Sequence, residues 1–126
     1  MTLYELGYNF AGIDDCWQLC NSGPHGGFHN ASGYPIVDKS LFPDMKAMTD
    51  KAKSHGISPG WYGNNCHCHD SVCSEERCFQ GDVQATIDFG FESIKLDGCG
   101  AERNITLFSE LFNQTGKPVL IENCHN

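Results

Sequence analysis

The sequence predicts an α/β fold, the N-terminal portion of a (β/α)8 TIM barrel covering about strands 2 to 5. Two observations carry that prediction. Short strand-like runs alternate with helical patterns in the order βαβαβαβ, the signature of a parallel sheet with helices outside it. Polar and charged residues collect where the strands end: Asp14 and Asp15, Tyr62 and Asn64, Asp97, then Glu122 and Asn123. A (β/α)8 barrel assembles its site from several strand ends at that face. A doubly wound sheet also uses its carboxyl edge, but no glycine-rich phosphate turn follows the first strand here. A closed barrel takes about 250 residues, so the 126 residues of this chain are expected to form about half of one, a single partial domain over residues 1–126.

Each element has its own signal. "YNFAGIDD" (8–15) reads as a strand ending in two aspartates. "FPDMKAMTDKAKSHG" (42–56) reads as a helix, with Pro43 in its first turn, Met45, Met48 and Ala52 at helical spacing, and Gly56 ending it. "ISPGWY" (57–62) is the second strand, although Pro59 and Gly60 are poor strand residues. "GDVQATIDFGF" (81–91) places Val83, Ile87 and Phe91 one above another on a helix. "ESIKLD" (92–97) is a strand, "NITLFSELFNQTG" (104–116) a helix with Ile105, Phe108 and Phe112 on one face, and "KPVLIEN" (117–123) the last strand. Gly-rich residues 20–40 and Cys/His-rich residues 64–79 are insertions. No linker or second domain is visible.

Composition excludes several classes. Hydrophobic residues make up 40% and mean hydropathy is -0.37, as in a soluble globular protein. No apolar run approaches the ~18 residues that span a bilayer, so no membrane partner is expected. The formal charge of -8 with eight scattered Lys and Arg gives no basic face for phosphates, so no nucleic-acid partner is expected. Eight cysteines favour disulfides over reduced cytosolic thiols. The sequons at Asn30, Asn104 and Asn113 agree, and together they predict a glycoprotein of the secretory pathway. The start shows no basic n-region or apolar h-region, so Met1 is expected to be internal or artificial.

Lys95 and Asp97 are two apart on a strand, so their side chains share a face. An ammonium beside a carboxylate keeps it anionic, the state a carboxylate nucleophile needs; the plainer reading is an ion pair at a strand end. Asp14-Asp15-Cys16-Trp17 ends another strand. Adjacent acids repel unless something binds them, and sugar hydroxyls suit them, with the Trp17 indole as an apolar face nearby. "CHCHD" (66–70) invites zinc, but adjacent ligands lack the usual spacing, so no metal and no cofactor are expected. His25, His29 and His125 read as loop or rim residues. Trp61 and Phe10 read as core or pocket wall.

"GYNFAGIDDCW", "FPDMKAM", "KSHGISPGWYGN" with Cys66 soon after, and "SIKLDGC" resemble, in order and spacing, successive motifs of glycoside hydrolase family 27, the α-galactosidases and α-N-acetylgalactosaminidases. The resemblance covers roughly residues 6–120; "IDDCW" and "KLDGC" are its specific motifs. It implies a retaining α-galactosidase in which Asp97 is the nucleophile, Lys95, Asp14 and Asp15 bind the sugar, and Tyr62 lines the pocket with Trp17 close by. Retention needs a second carboxyl group ~5–5.5 Å away; in the family it follows a later strand, beyond Asn126, so this chain alone is expected to be inactive. The substrate implied is an α-galactoside oligosaccharide or glycoconjugate; lysosome, vacuole and cell exterior are the implied destinations.

The resemblance also implies a Cys66–Cys99 disulfide, and strands expected as neighbours at ~4.8 Å put the two within reach. Cys16 pairs upstream in the family, while Cys20, Cys68, Cys73, Cys78 and Cys124 have no implied partner. Where the family's galactosidases carry Ser-Cys-Glu or Leu-Cys-Glu, this chain has Glu122-Asn123-Cys124-His125, so the choice of sugar 2-substituent stays open. The competing readings are an α-N-acetylgalactosaminidase, a non-catalytic sugar-binding relative, and a small disulfide-stapled open α/β module.

Overall fold

The computed structural model describes residues 1–24, 26–63, 66–68, 73, 75–100 and 102–124. After a short 3-10 turn at Tyr4–Leu6, the elements are β1 (Phe10–Ile13), α1 (Met45–Ser54), β2 (Ser58–Tyr62), α2 (Glu76–Phe89), β3 (Ser93–Asp97), α3 (Ile105–Thr115) and β4 (Leu120–Cys124). The four strands form one parallel sheet in the order β1-β2-β3-β4. That order follows the chain without reversal, whereas a doubly wound sheet reverses it. With right-handed crossovers, an unreversed order sends all three helices to one face. The result is a barrel wall, an incomplete (β/α)8 barrel. No helix among the described residues is long and apolar enough to cross a membrane.

Boundaries differ from the sequence reading for local reasons. Pro43 lies ahead of α1 rather than in its first turn: Asp44 is the N-cap, its carboxylate accepting the Ala47 N–H at 2.9 Å. α2 begins at Glu76, five residues before the expected Gly81, because Phe79 and Val83 already lie buried at helical spacing inside the cysteine-rich stretch. Phe91 follows the left-handed Gly90 that ends α2, yet it is buried and stacks on Trp61 with centroids 4.9 Å apart. β4 starts only at Leu120, since Pro118 has no N–H to give a ladder. β1 stops at Ile13, where the aspartates turn onto their own backbone: Asp14 Oδ1 accepts the Asp15 N–H at 2.8 Å, and Asp15 Oδ1 the Cys16 N–H at 2.9 Å.

The register sorts side chains by face. Trp61 is level with Ile94, and Ile94 with Ile121; this row and Leu96 face the helices, where they join Phe79, Val83, Phe108 and Phe112 in the core. Alternation puts Phe10, Gly60, Tyr62, Ser93, Lys95, Asp97, Leu120 and Glu122 on the opposite, concave face. Loops cross-brace this frame. Gly33 has φ of 86° and lies so close to α2 that a Cβ there would meet the Arg77 carbonyl oxygen at 2.3 Å; a Cβ at Gly81 would meet the Gly33 carbonyl oxygen at 1.9 Å. Disulfides join Cys20 to Cys68, Cys66 to Cys99 and Cys73 to Cys78, while Cys16 and Cys124 are exposed free thiols.

Candidate active site

At the carboxyl edge of the concave face, Tyr62 is level with Lys95 and Lys95 with Glu122; Asp14 follows the Ile13–Trp61 row and so extends this level onto β1. The Lys95 ammonium sits 4.9 Å from the centroid of the Tyr62 ring and donates to Asp14 Oδ2 at 2.8 Å. That hydrogen bond holds the Asp14 carboxyl below its ordinary range and raises the Lys95 ammonium above its own. Beside them opens a cavity of about 290 Å³ whose walls include Phe10, Asp14, Lys95, Glu122 and Cys124.

Asp97 stands one step further along the same face of β3. Its Oδ1 accepts the Gly98 N–H at 2.6 Å, and the Tyr62 hydroxyl hydrogen-bonds its carboxylate. Burial, then that bond, push the Tyr62 phenol well above its ordinary range, so it keeps its proton and donates to Asp97. The hydroxyl also lies 2.8 Å from Cys66 Sγ, in the disulfide to Cys99. The sequence reading pairs Lys95 with Asp97; in the fold the chief partner of Lys95 is Asp14, and Asp97 adds a smaller Coulombic attraction. The reason is reach, since a four-carbon stem level with Asp14 spans the intervening Tyr62.

Two expected sugar contacts sit differently. Trp17 is fully buried, packed against Phe28 and Trp61 with centroids 5.6 and 4.5 Å away, and its indole N–H donates to the Tyr62 carbonyl at 2.8 Å. It presents no open face to a sugar; it positions the backbone of Tyr62. Asp15 Oδ2 accepts the N–H groups of Cys66 and His67 at 3.0 and 2.6 Å, tying the loop after β2 to the end of β1. Between them Cys16 has φ of 77°, a left-handed conformation costing roughly 1–3 kcal/mol in a non-glycine residue.

His29, read as a loop or rim residue, lies in the loop after β1 but is buried there, with Nε2 at 3.0 Å from Asp82 Oδ1 and 3.4 Å from Glu102 Oε1. No local pattern signals this, because the three residues come from separate segments. The "CHCHD" stretch resolves into disulfides at Cys66 and Cys68. Asn64, His25, His69 and His125 lie outside the described residues.

Comparison with known proteins follows the same lines. Residues 2–125 match the family described as Alpha galactosidase A. The α-N-acetylgalactosaminidase of Gallus gallus is 28% identical over 126 residues, 92% of this chain and 29% of that protein. The α-galactosidase A of Cellvibrio japonicus is 26% identical over 126 residues, 94% of this chain and 29% of that protein. The solved α-galactosidase of Saccharomyces cerevisiae superposes with a TM-score of 0.75 at 20% identity, covering 98% of this chain and 28% of that one, and shares the fold. The chain thus spans less than a third of the length of the curated relatives it matches. With nearly its whole length matched, the chain belongs to the Alpha galactosidase A family, glycoside hydrolase family 27.

Proposed function

We propose that this chain supplies the nucleophile-bearing part of a retaining α-galactosidase that removes terminal α-galactosyl residues. The observation that carries the reading is the convergence of Asp97, Lys95 and Asp14 on one concave face at the carboxyl edge of the sheet. Asp97 attacks the anomeric carbon as the glycosidic bond breaks, while a second carboxyl group from a later strand protonates the leaving oxygen. Water, deprotonated by that same group, then hydrolyses the glycosyl ester and frees Asp97. Tyr62 aims the nucleophile by hydrogen-bonding it. Lys95 and Asp14 offer a donor and an acceptor to sugar hydroxyls, and Asp15 and Trp17 hold the walls in place. Three disulfides support a secretory-route protein, lysosomal, vacuolar or extracellular.

The hen relative, named an α-N-acetylgalactosaminidase, makes the sugar 2-substituent the rival point. The test uses the longer protein that contains this chain. Asp97→Ala is expected to lower hydrolysis of an aryl α-galactoside by about 1000-fold or more, with α-galactose as the first product of the unaltered protein. Unchanged hydrolysis in the variant, or β-galactose as first product, overturns the mechanism. Faster cleavage of the matching aryl α-N-acetylgalactosaminide would keep the mechanism and change the substrate.

A further inference from the structure

Away from the sugar-facing edge, three segments bring four metal-binding side chains together in the interior. His29 comes from the loop after β1, Cys73 and Cys78 flank the start of α2, and Glu102 lies between β3 and α3. A ligand atom from each, one imidazole nitrogen, two sulfurs and one carboxylate oxygen, lies within 4.8 Å of all the others. His29, Cys78 and Glu102 are 5%, 0% and 2% exposed. Asp82, also fully buried, holds the His29 ring at 3.0 Å. In the structure the two sulfurs are joined as a disulfide.

We infer that these four residues form a zinc site whenever Cys73 and Cys78 are thiols, so that reducing the disulfide turns the pair into a zinc-binding couple. A dithiol reductant gives two electrons and two protons to the Cys73–Cys78 bond and leaves as its own disulfide. Zn²⁺ then displaces the two thiol protons and binds both thiolates, His29 and Glu102. The chemistry of the donors selects this ion: one nitrogen, one oxygen and two sulfurs make a closed four-ligand set, and thiolates exclude magnesium and calcium. Charge argues the same way. Two thiolates and a carboxylate buried together carry three negative charges, a heavy penalty in the interior, and a divalent cation cancels two of them. With Asp82 on Nε2, the ring would ligate through Nδ1, which gives the carboxylate–histidine–metal arrangement that orients a ligating ring. Disulfide and zinc would each clip the start of α2; zinc would also fasten the His29 loop and the β3–α3 connection to it.

The test is made on the protein carrying this chain, reduced with a dithiol and freed of it under argon. Zn²⁺ is expected to slow iodoacetamide alkylation of Cys73 and Cys78 at least about tenfold, read peptide by peptide by mass spectrometry, and to leave Cys16 and Cys124 unprotected. Co²⁺ is expected to give a thiolate-to-cobalt band in the near ultraviolet. That band should be absent from the unreduced protein and from Cys73→Ser/Cys78→Ser, and Asp82→Asn should weaken Zn²⁺ binding by about 10- to 100-fold. Equal alkylation of Cys73 and Cys78 with and without Zn²⁺, or a cobalt band that survives the double serine change, overturns the inference. Should the double variant not fold, the alkylation result on the unaltered protein decides alone.

Discussion

Lys95 reaches over the Tyr62 ring to Asp14, so one ammonium couples β3 to β1 across the strand between them. The Asp14 side chain is 71% exposed, which limits the pair to the strength of a surface salt bridge, about 0.2–1 kcal/mol. A double-mutant cycle with Lys95→Met and Asp14→Asn, read by denaturant unfolding at pH 7, should return a coupling in that range. The depressed Asp14 carboxyl contributes stability that is present above its ordinary value of 3.8 and is lost as pH falls through the lower folded value. The raised Lys95 contributes stability fully present below 10.5 and lost as pH rises past its higher folded value. The coupling should therefore be level between about pH 4 and pH 10 and fade in stronger acid; a coupling undiminished at pH 2 would contradict the assignment. Residues of this kind were legible because strand alternation alone places 95 and 97 on one face. Trp17 and His29 were not, since their burial depends on Phe28, Trp61, Asp82 and Glu102, partners that no periodicity reveals.

Between segments, backbone lies on backbone where the loop at Gly33 packs against α2 at Gly81. Helix propensity by itself favours Gly81→Ala by roughly 1 kcal/mol. The added methyl would sit 1.9 Å from the Gly33 carbonyl oxygen, however, and overpacking against rigid backbone costs about 1–3 kcal/mol. The clash wins, so Gly81→Ala should lower the melting temperature, whereas exposed Gln84→Ala three residues on should change stability by less than about 0.5 kcal/mol. A rise in melting temperature for Gly81→Ala would show that the loop moves aside. Helix α3 could be read from its apolar stripe of Ile105, Phe108 and Phe112; the structure adds its Asn104 cap, whose side chain accepts the Leu107 N–H at 3.1 Å. The first turn of α2 could not, because its apolar positions are embedded among cysteines and charges that read as loop.

At the scale of the molecule, the alternation of strands and helices and the acids at strand ends were enough to name a barrel wall, whereas the cysteine pairing beyond Cys66–Cys99 was not, since connectivity is a property of loops in space. Among the described residues β1 and β4 each pair on one side only, and the concave face carries Phe10 at 43% and Leu120 at 57% exposure. Unpaired edges beside apolar surface favour self-association. The 126-residue chain should accordingly show concentration-dependent association in sedimentation velocity, and Leu120→Lys should reduce it; association undiminished by the lysine would locate the sticky surface elsewhere. The disulfides carry a further consequence. Cys66 and Cys68, two residues apart, are bolted to opposite neighbours, Cys99 and Cys20. Exchanging those partners would shorten each closed loop by only two residues, a change worth well under about 0.1 kcal/mol in chain entropy. An unstructured chain therefore has almost no preference between the correct isomer and its scrambled twin. Fidelity must come from structure formed before the bonds close, or from an isomerase that reopens mistakes, and oxidative production without one should trap a mispaired fraction.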